Sequence, residues 1–470
     1  MIQSIRRSVL PLATAAFIIF FLSFCSTAPE TEAPGGRQEA EEEIGSEAKT
    51  LEEIEKLVKA GDTDKALELY EKYFSSNPGT AEDLLVYGML LFNAGRTEDA
   101  REALKKADSL EPGSRDILYN LALVEGARGD SEAQREVLKK IIDEYPDDAD
   151  AHASLGSLYL VSNERKEAKE SFEAALGADK DHVEARMGLG DVLFERGRYG
   201  EAHKEYDRVI EKSPEYALAY SQRGRARMAE KDFEGALSDL SRAIELDPDY
   251  FWNYLDRGRM LLRQGESDEA LRDFSRAIEL DDSIFFPFAY RGGIYEQRGR
   301  EEDAISDYER TVKLKPDYYF AHSALGALYF GKHEWTKASR AYRTAAPFVK
   351  EDYALPLLAG VAMIRGGERE KAADYLTESM RKIPRDSIFY HLYRLFIEPK
   401  YENTIIFNIE QLEDEELKHR ALFYVGQHYI IEGRDRPAEL YLIEARDRLP
   451  EEAPEAGLAE GELERMGSDG

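Results

Sequence analysis

The chain of 470 residues holds a single cysteine, Cys25, so neither an intramolecular disulfide nor a multi-cysteine zinc site can form. Basic residues are scarce beside acidic ones: 63 Lys and Arg against 94 Asp and Glu, a formal charge of −31. Phosphate contacts need a basic surface, so this balance argues against nucleic acid as a partner. It also disfavours long-range attraction to anionic lipid, and its simplest effect is to keep a long chain soluble. The 8 histidines are dispersed, with no i, i+4 pair among them. Two segments approach catalytic motifs and fall short. Gly326-Ala-Leu-Tyr-Phe-Gly331-Lys332-His333 nearly matches a phosphate-binding loop, but His333 stands where Ser or Thr would hold magnesium. His333-Glu334-Trp335-Thr336-Lys337 opens like a zinc-protease helix and lacks its second histidine. No catalytic, cofactor-binding or metal-binding residue is therefore assigned, and an enzyme is not expected.

Apolar residues make up 43% of the chain, enough for extensive burial. Near the N-terminus, Arg6 and Arg7 precede an uncharged run from Ser8 to Phe24. A short basic region before an apolar core is the pattern of a secretory signal, and the run is short for a membrane span of about 20 residues. Leu22-Ser23-Phe24-Cys25 resembles the end of a bacterial lipoprotein signal. That resemblance implies that Cys25 becomes the lipidated first residue after cleavage; the alternative is an uncleaved signal anchor over residues 1–25. Either way Arg6 and Arg7 stay inside and the rest of the chain crosses the inner membrane. This places it in the cell envelope, membrane-anchored and facing the periplasm or outside. Ser26 following the cysteine implies, by the same resemblance, an outer-membrane destination. Residues 26–46 are rich in Glu, Pro, Ala and Gly and read as a disordered tether with a reach of roughly 25 Å.

From residue 47 the sequence becomes periodic. Glycine recurs at Gly88, Gly156, Gly190, Gly224, Gly258, Gly292, Gly326 and Gly360, always 34 residues or a multiple apart, with Ala122 in the one vacancy. Twelve residues later stands alanine, at Ala66, Ala100, Ala168, Ala202, Ala236, Ala270, Ala304, Ala338 and Ala372, interrupted by Gln134. A further twelve on stands proline in most units, among them Pro112, Pro146, Pro214, Pro248, Pro316 and Pro384. Four places after the alanine comes a large apolar residue such as Phe172, Tyr206, Phe274 or Tyr342. Small residues facing each other let two helices approach closely, and proline stops the second.

This pattern resembles the tetratricopeptide repeat, a helix–turn–helix of 34 residues. The resemblance implies an all-α fold, an α-α superhelical solenoid whose concave groove binds a protein or peptide. Ten repeats run in phase over 47–386. Residues 387–418 keep helical periodicity without the Gly/Ala signature and are broken by Pro399, which reads as an irregular hairpin. Gly426, Ala438 and Pro450 restore the phase in a final repeat at 419–452, and 453–470 reads as a polar cap or disordered tail. The irregular hairpin and an incompletely capped C-terminus leave a second possibility open: a self-associating assembly factor for outer-membrane or cell-wall machinery.

Three consecutive repeats depart from the others together. The residue before the helix-A glycine is Arg223, Arg257 and Arg291 where most others are apolar, and the residue before the helix-B core position is Asp239, Asp273 and Asp307. The joint change predicts partly buried Arg–Asp pairs linking helices A and B; the alternative is that these arginines grip an acidic ligand. In the tetratricopeptide family the second residue of each repeat points into the groove. Here that place holds Trp252, Phe286 and Phe320, preceded by Phe251, Phe285 and Tyr319. By the same family geometry Arg225, Arg259 and Arg263 lie on the inner face of helix A. Aromatics and arginine are enriched in binding hot spots, so these six form the candidate partner site; packing between repeats is the competing account of the aromatics. The Lys and Asn clamp of chaperone-docking members is absent, with Ser221/Arg225, Leu255/Arg259 and Ala289/Gly293 in its places.

Overall fold

The computed structural model describes residues 49–468 apart from 51, 75–78, 350–351 and 451–452. The leader, Cys25 and the tether lie outside the described residues. After a helix over 52–59, paired with α1 (Thr63–Phe74), the chain runs through hairpins α2/α3 (Ala81–Asn93, Thr97–Leu110), α4/α5 (Arg115–Ala127, Ser131–Glu144), α6/α7 (Ala149–Val161, Arg165–Ala178) and α8/α9 (Val183–Glu195, Tyr199–Lys212). Then come α10/α11 (Ala217–Glu230, Phe233–Leu246), α12/α13 (Phe251–Gln264, Ser267–Leu280), α14/α15 (Phe285–Gln297, Glu301–Leu314), α16/α17 (Tyr319–Gly331, Trp335–Ala345) and α18/α19 (Ala354–Arg365, Arg369–Met380). The irregular stretch is α20 (Ile388–Ile397) and α21 (Glu402–Glu410), and α22/α23 (Glu415–Ile431, Asp435–Arg448) and α24 (Pro454–Ser468) follow. No strand occurs among the described residues. The helices form two compact units, one ending at Asp239 and the other beginning at Leu240.

The periodic residues explain each hairpin. A Cβ placed on Gly326 would sit 2.6 Å from the Tyr342 ring, and one on Gly258 2.8 Å from Phe274. Only glycine permits that approach of helix A to helix B. The alanines of helix B, such as Ala270 and Ala338, are fully buried beneath it. Between the helices, one residue adopts a left-handed backbone, with φ from +65° to +84° at Gly95, Gly129, Gly197, Gly265, Gly299 and Gly367. Asn163, Lys231 and His333 take the same conformation in their own repeats. The near-match to a phosphate loop is thereby accounted for: Lys332 and His333 form an ordinary A–B turn, and Gly326 is pressed against Tyr342. In the repeat with Ala122, Gln134 replaces the helix-B alanine, and a Cβ on Gly126 would stand 2.7 Å from its amide. The small residue has moved one turn along.

Within each unit neighbouring helices A touch, α6 with α8 and α8 with α10 in the first, α12 with α14 in the second, as expected where hairpins stack in register. The irregular hairpin is well buried through Leu392, Tyr393, Leu395, Ile405 and Ile409. Glu402 ties it to the final repeat by accepting from His428, Tyr429 and Arg434 at 3.2, 2.9 and 2.9 Å. Residues 454–468, read from sequence as a polar cap or tail, are a helix with a buried face: Glu455, Ala456, Ala459 and Glu462 point inward, while Glu460 and Glu464 stay exposed.

Candidate partner-binding face

The arginines before the helix-A glycine enter paired, hydrogen-bonded arrangements. Arg257 donates from Nε and Nη2 to the two oxygens of Asp273 at 2.8 and 2.7 Å. Arg291 does the same to Asp307 at 2.7 and 2.8 Å, and Arg223 to Asp239 at 2.9 and 2.5 Å. The three carboxylates are nearly inaccessible, so each bidentate pair carries most of the compensation for desolvation. In each case the remaining Nη1 reaches back to helix B of the preceding repeat: to Asp207 at 2.6 Å, Ser241 at 3.2 Å and Ser275 at 3.2 Å. These third partners were missed in the sequence reading. They occupy one repeat position, directly after the helix-B core residue, where other repeats carry longer side chains such as Lys105, Glu173 or Arg343. A short polar residue there in three consecutive repeats was the available signal, shared elsewhere only by Thr377.

Donating to Asp273 raises the Arg257 pKa against the opposing effect of burial; donating to Asp307 does likewise for Arg291. For Arg223, burial works against the charge and the bonds to Asp239 and Asp207 outweigh it. An aromatic ring one turn earlier lies under each guanidinium, Tyr220 at 5.4 Å, Tyr254 at 5.9 Å and Phe288 at 5.8 Å. With Nε and both terminal nitrogens engaged internally, these arginines serve the scaffold.

The aromatic pairs that open α12, α14 and α16 divide the work. Phe285 faces Tyr318, the residue that caps the start of α16, at 4.9 Å between ring centroids, a packing contact. Its neighbour Phe286 lies 4.0 Å from it and remains 38% exposed. Phe320, beside Tyr319 at 4.0 Å and Tyr318 at 5.6 Å, is 58% exposed. Trp252 is half-buried, tilted on Phe251 at 4.6 Å and packed on the cluster around Leu255 and Phe274. So in α14 and α16 the second ring of the pair is left toward solvent, most fully at Phe320, whereas in α12 the second ring, Trp252, packs inward. Arg259 is exposed, donating to Asp256 at 3.1 Å with its guanidinium 5.9 Å from the Tyr290 ring. Arg263 is exposed in the last turn of α12. In the first unit Arg225 is half-buried, donating to Gln222 at 2.9 Å and lying over Phe194 at 5.3 Å.

Among the described residues there is no group of three or more His, Cys, Asp or Glu able to hold a metal ion. Nor is any described helix long and apolar enough to cross a membrane.

Tetratricopeptide-repeat profiles match residues 57–121 and 91–158, 153–217 and 194–251, and 240–272. No curated protein matches the chain. Among solved structures it is similar to YrrB, titled a TPR protein with an unusual peptide-binding site, at 25% identity and a TM-score of 0.34, over 40% of this chain and 96% of that one. It is similar also to PilF of Pseudomonas aeruginosa, at 20% identity and a TM-score of 0.40, over 47% and 94%. A third likeness is to the C-terminal part of a TPR repeat-containing protein from Cytophaga hutchinsonii, at 16% identity and a TM-score of 0.40, over 51% and 99%.

Proposed function

This chain is a tetratricopeptide-repeat protein, and from that premise we propose that it is a membrane-tethered scaffold of the bacterial envelope that binds a protein or peptide partner in its helix-A groove. The observation that carries the reading is the set of aromatic pairs opening α12, α14 and α16, whose second members Phe286 and Phe320 stay exposed. Large apolar rings left toward solvent on a rigid helix start, with Arg259 on the same unit, are the residue types that anchor a partner. Replacing Trp252 or Phe320 by alanine should weaken capture of the partner while leaving the helical array folded. Capture that is unchanged by both substitutions overturns the assignment.

Tethering rests on the sequence around Cys25: two arginines, an uncharged run and a cysteine at its end. Metabolic labelling with palmitate should mark the wild type and not Cys25→Ser; equal labelling of both refutes lipidation at that residue. A self-associating assembly factor has less to stand on, because α24 lays a buried face against the C-terminal end that this alternative needs open.

A further inference from the structure

The C-terminal helix α24 does more than close the final hairpin. It packs on its neighbour α23, but also on α22 and on α16, a helix A of the ninth repeat. Its inward face carries two carboxylates two helical turns apart, both almost wholly buried. Glu462 accepts from Arg365 at 2.7 Å and lies 3.5 Å from His333 Nε2. Glu455 accepts from Arg420 at 2.9 Å and from the Tyr424 hydroxyl at 3.2 Å. Arg365, at the end of α18, is itself held in place: its guanidinium lies 4.2 Å from the Trp335 ring, and it donates to Gln427 at 2.8 Å.

This interface is set apart by where one of its cations comes from. The Arg–Asp pairs of the hairpins join adjacent helices, whereas Arg365 reaches Glu462 from α18, several helices back along the chain. It is also imperfectly matched. Gln427 Nε2, Glu455 Oε2 and the Tyr342 hydroxyl are buried there without a hydrogen bond, and the Tyr342 hydroxyl is close enough to feel the charge on Glu455. Unpaired buried polar atoms weaken an interface. An acidic amphipathic helix lying on helix-A surface, held by arginines and incompletely satisfied, is the geometry of a bound ligand that can be exchanged.

We propose that the surface lined by Trp335, Arg365, Arg420 and Tyr424 is a docking site for an acidic amphipathic helix, and that α24 is its resident occupant in cis. A partner helix with carboxylates two turns apart takes its place. This goes beyond the groove reading above, since neither Trp252, Phe286 nor Phe320 takes part, and the two stand or fall separately.

The test uses the full chain and a fluorescein-labelled synthetic peptide of residues 453–468, followed by anisotropy. A resident helix lowers apparent affinity by the fraction of time the site is open. The chain carrying Glu455→Gln and Glu462→Gln, whose own helix is loosened, should therefore bind the peptide at least about tenfold more tightly than the wild type. Adding Arg365→Glu should abolish that binding. Amide exchange over 453–468 should quicken in the Gln variant and in the wild type under excess unlabelled peptide. Equal affinity for the two proteins, or no binding to the variant while its 453–468 amides exchange freely, overturns the proposal and leaves α24 a fixed cap. Should the Gln variant lose its helical circular dichroism, the charge-reversed chain Arg365→Glu, Glu462→Arg replaces it. There excess wild-type peptide should fail to quicken exchange over 453–468, and a peptide with arginine at 462 should succeed; equal competition by both peptides again overturns it.

Discussion

Removing Asp273 tests the arginine ladder most sharply. In Asp273→Ala the Arg257 guanidinium loses both bonds to carboxylate and keeps only Ser241 at 3.2 Å. Breaking a buried pair by deleting one partner costs about 3–5 kcal/mol, because the other charge is left desolvated. Arg257 keeps 24% side-chain exposure, so some water reaches it, and the low end, about 3 kcal/mol, is expected. An exposed pair on the same helix gives the contrast: Arg276 and Glu279 are 41% and 66% exposed, and Glu279→Ala should cost at most about 0.5 kcal/mol. Replacing both partners by apolar residues, as in Arg257→Met with Asp273→Leu, should return most of the loss, for a coupling of about 2–3 kcal/mol in the double-mutant cycle. The assay is denaturant unfolding fitted as a chain of repeats coupled to their neighbours, the form a stacked array follows. Amide exchange in α12 and α13 then locates the effect. Asp273→Ala as stable as Glu279→Ala would refute the ladder.

Two further predictions read the packing and the charge. Gly326→Ala should destabilise by about 1–3 kcal/mol, because its Cβ would meet the Tyr342 ring at 2.6 Å. Gly293→Ala, whose nearest neighbour is 3.6 Å away, should instead stabilise by roughly 0.5–1 kcal/mol through helix propensity; like-signed shifts in melting temperature would contradict the contrast. Burial pushes the Asp191 carboxyl up to about 6, although Tyr206 donates to it at 2.7 Å and Arg225 opposes the shift. Its folded pKa lies above the unfolded one, so its stabilising contribution is full below about pH 4 and is lost as pH rises through about 6. Asp191→Asn should therefore unfold at higher denaturant than the wild type at pH 7.5, by about 1–2 kcal/mol, and show no such gain at pH 4. A gain of the same size at both pH values would refute the titration.

Much of this molecule is legible in the residues because the repeat imposes the same physical demand many times. The glycine facing a ring, the buried alanine and the proline two places past helix B all come from close approach and chain reversal, which are local. The Arg–Asp pairing was visible because two columns changed in the same three repeats. Its third member at Asp207, Ser241 and Ser275 was not, since finding it requires knowing which turn of one hairpin lies against the next. The C-terminal helix was the hardest to read. Its inward face is built of Ala456, Ala459, Leu463 and two glutamates, interspersed with Gly457 and Gly461, which looks polar and breakable in isolation. What seats it are Arg365 and Arg420, contributed by other helices. The aromatic pairs of α12, α14 and α16 stand at the helix starts, as their repeat positions imply. The split between packed Phe285 and exposed Phe286 needed the position of Tyr318.

The claim that this array holds a partner on its helix-A side is tested most directly by site-specific photocrosslinking in cells. A benzophenone amino acid in place of Phe320 should give a discrete adduct with another protein, and the same group in place of Leu440, 67% exposed on helix-B α23, should not. Trp252→Ala in the same chain should diminish the Phe320 adduct. Identical adducts from both positions, or none from Phe320, would contradict the account.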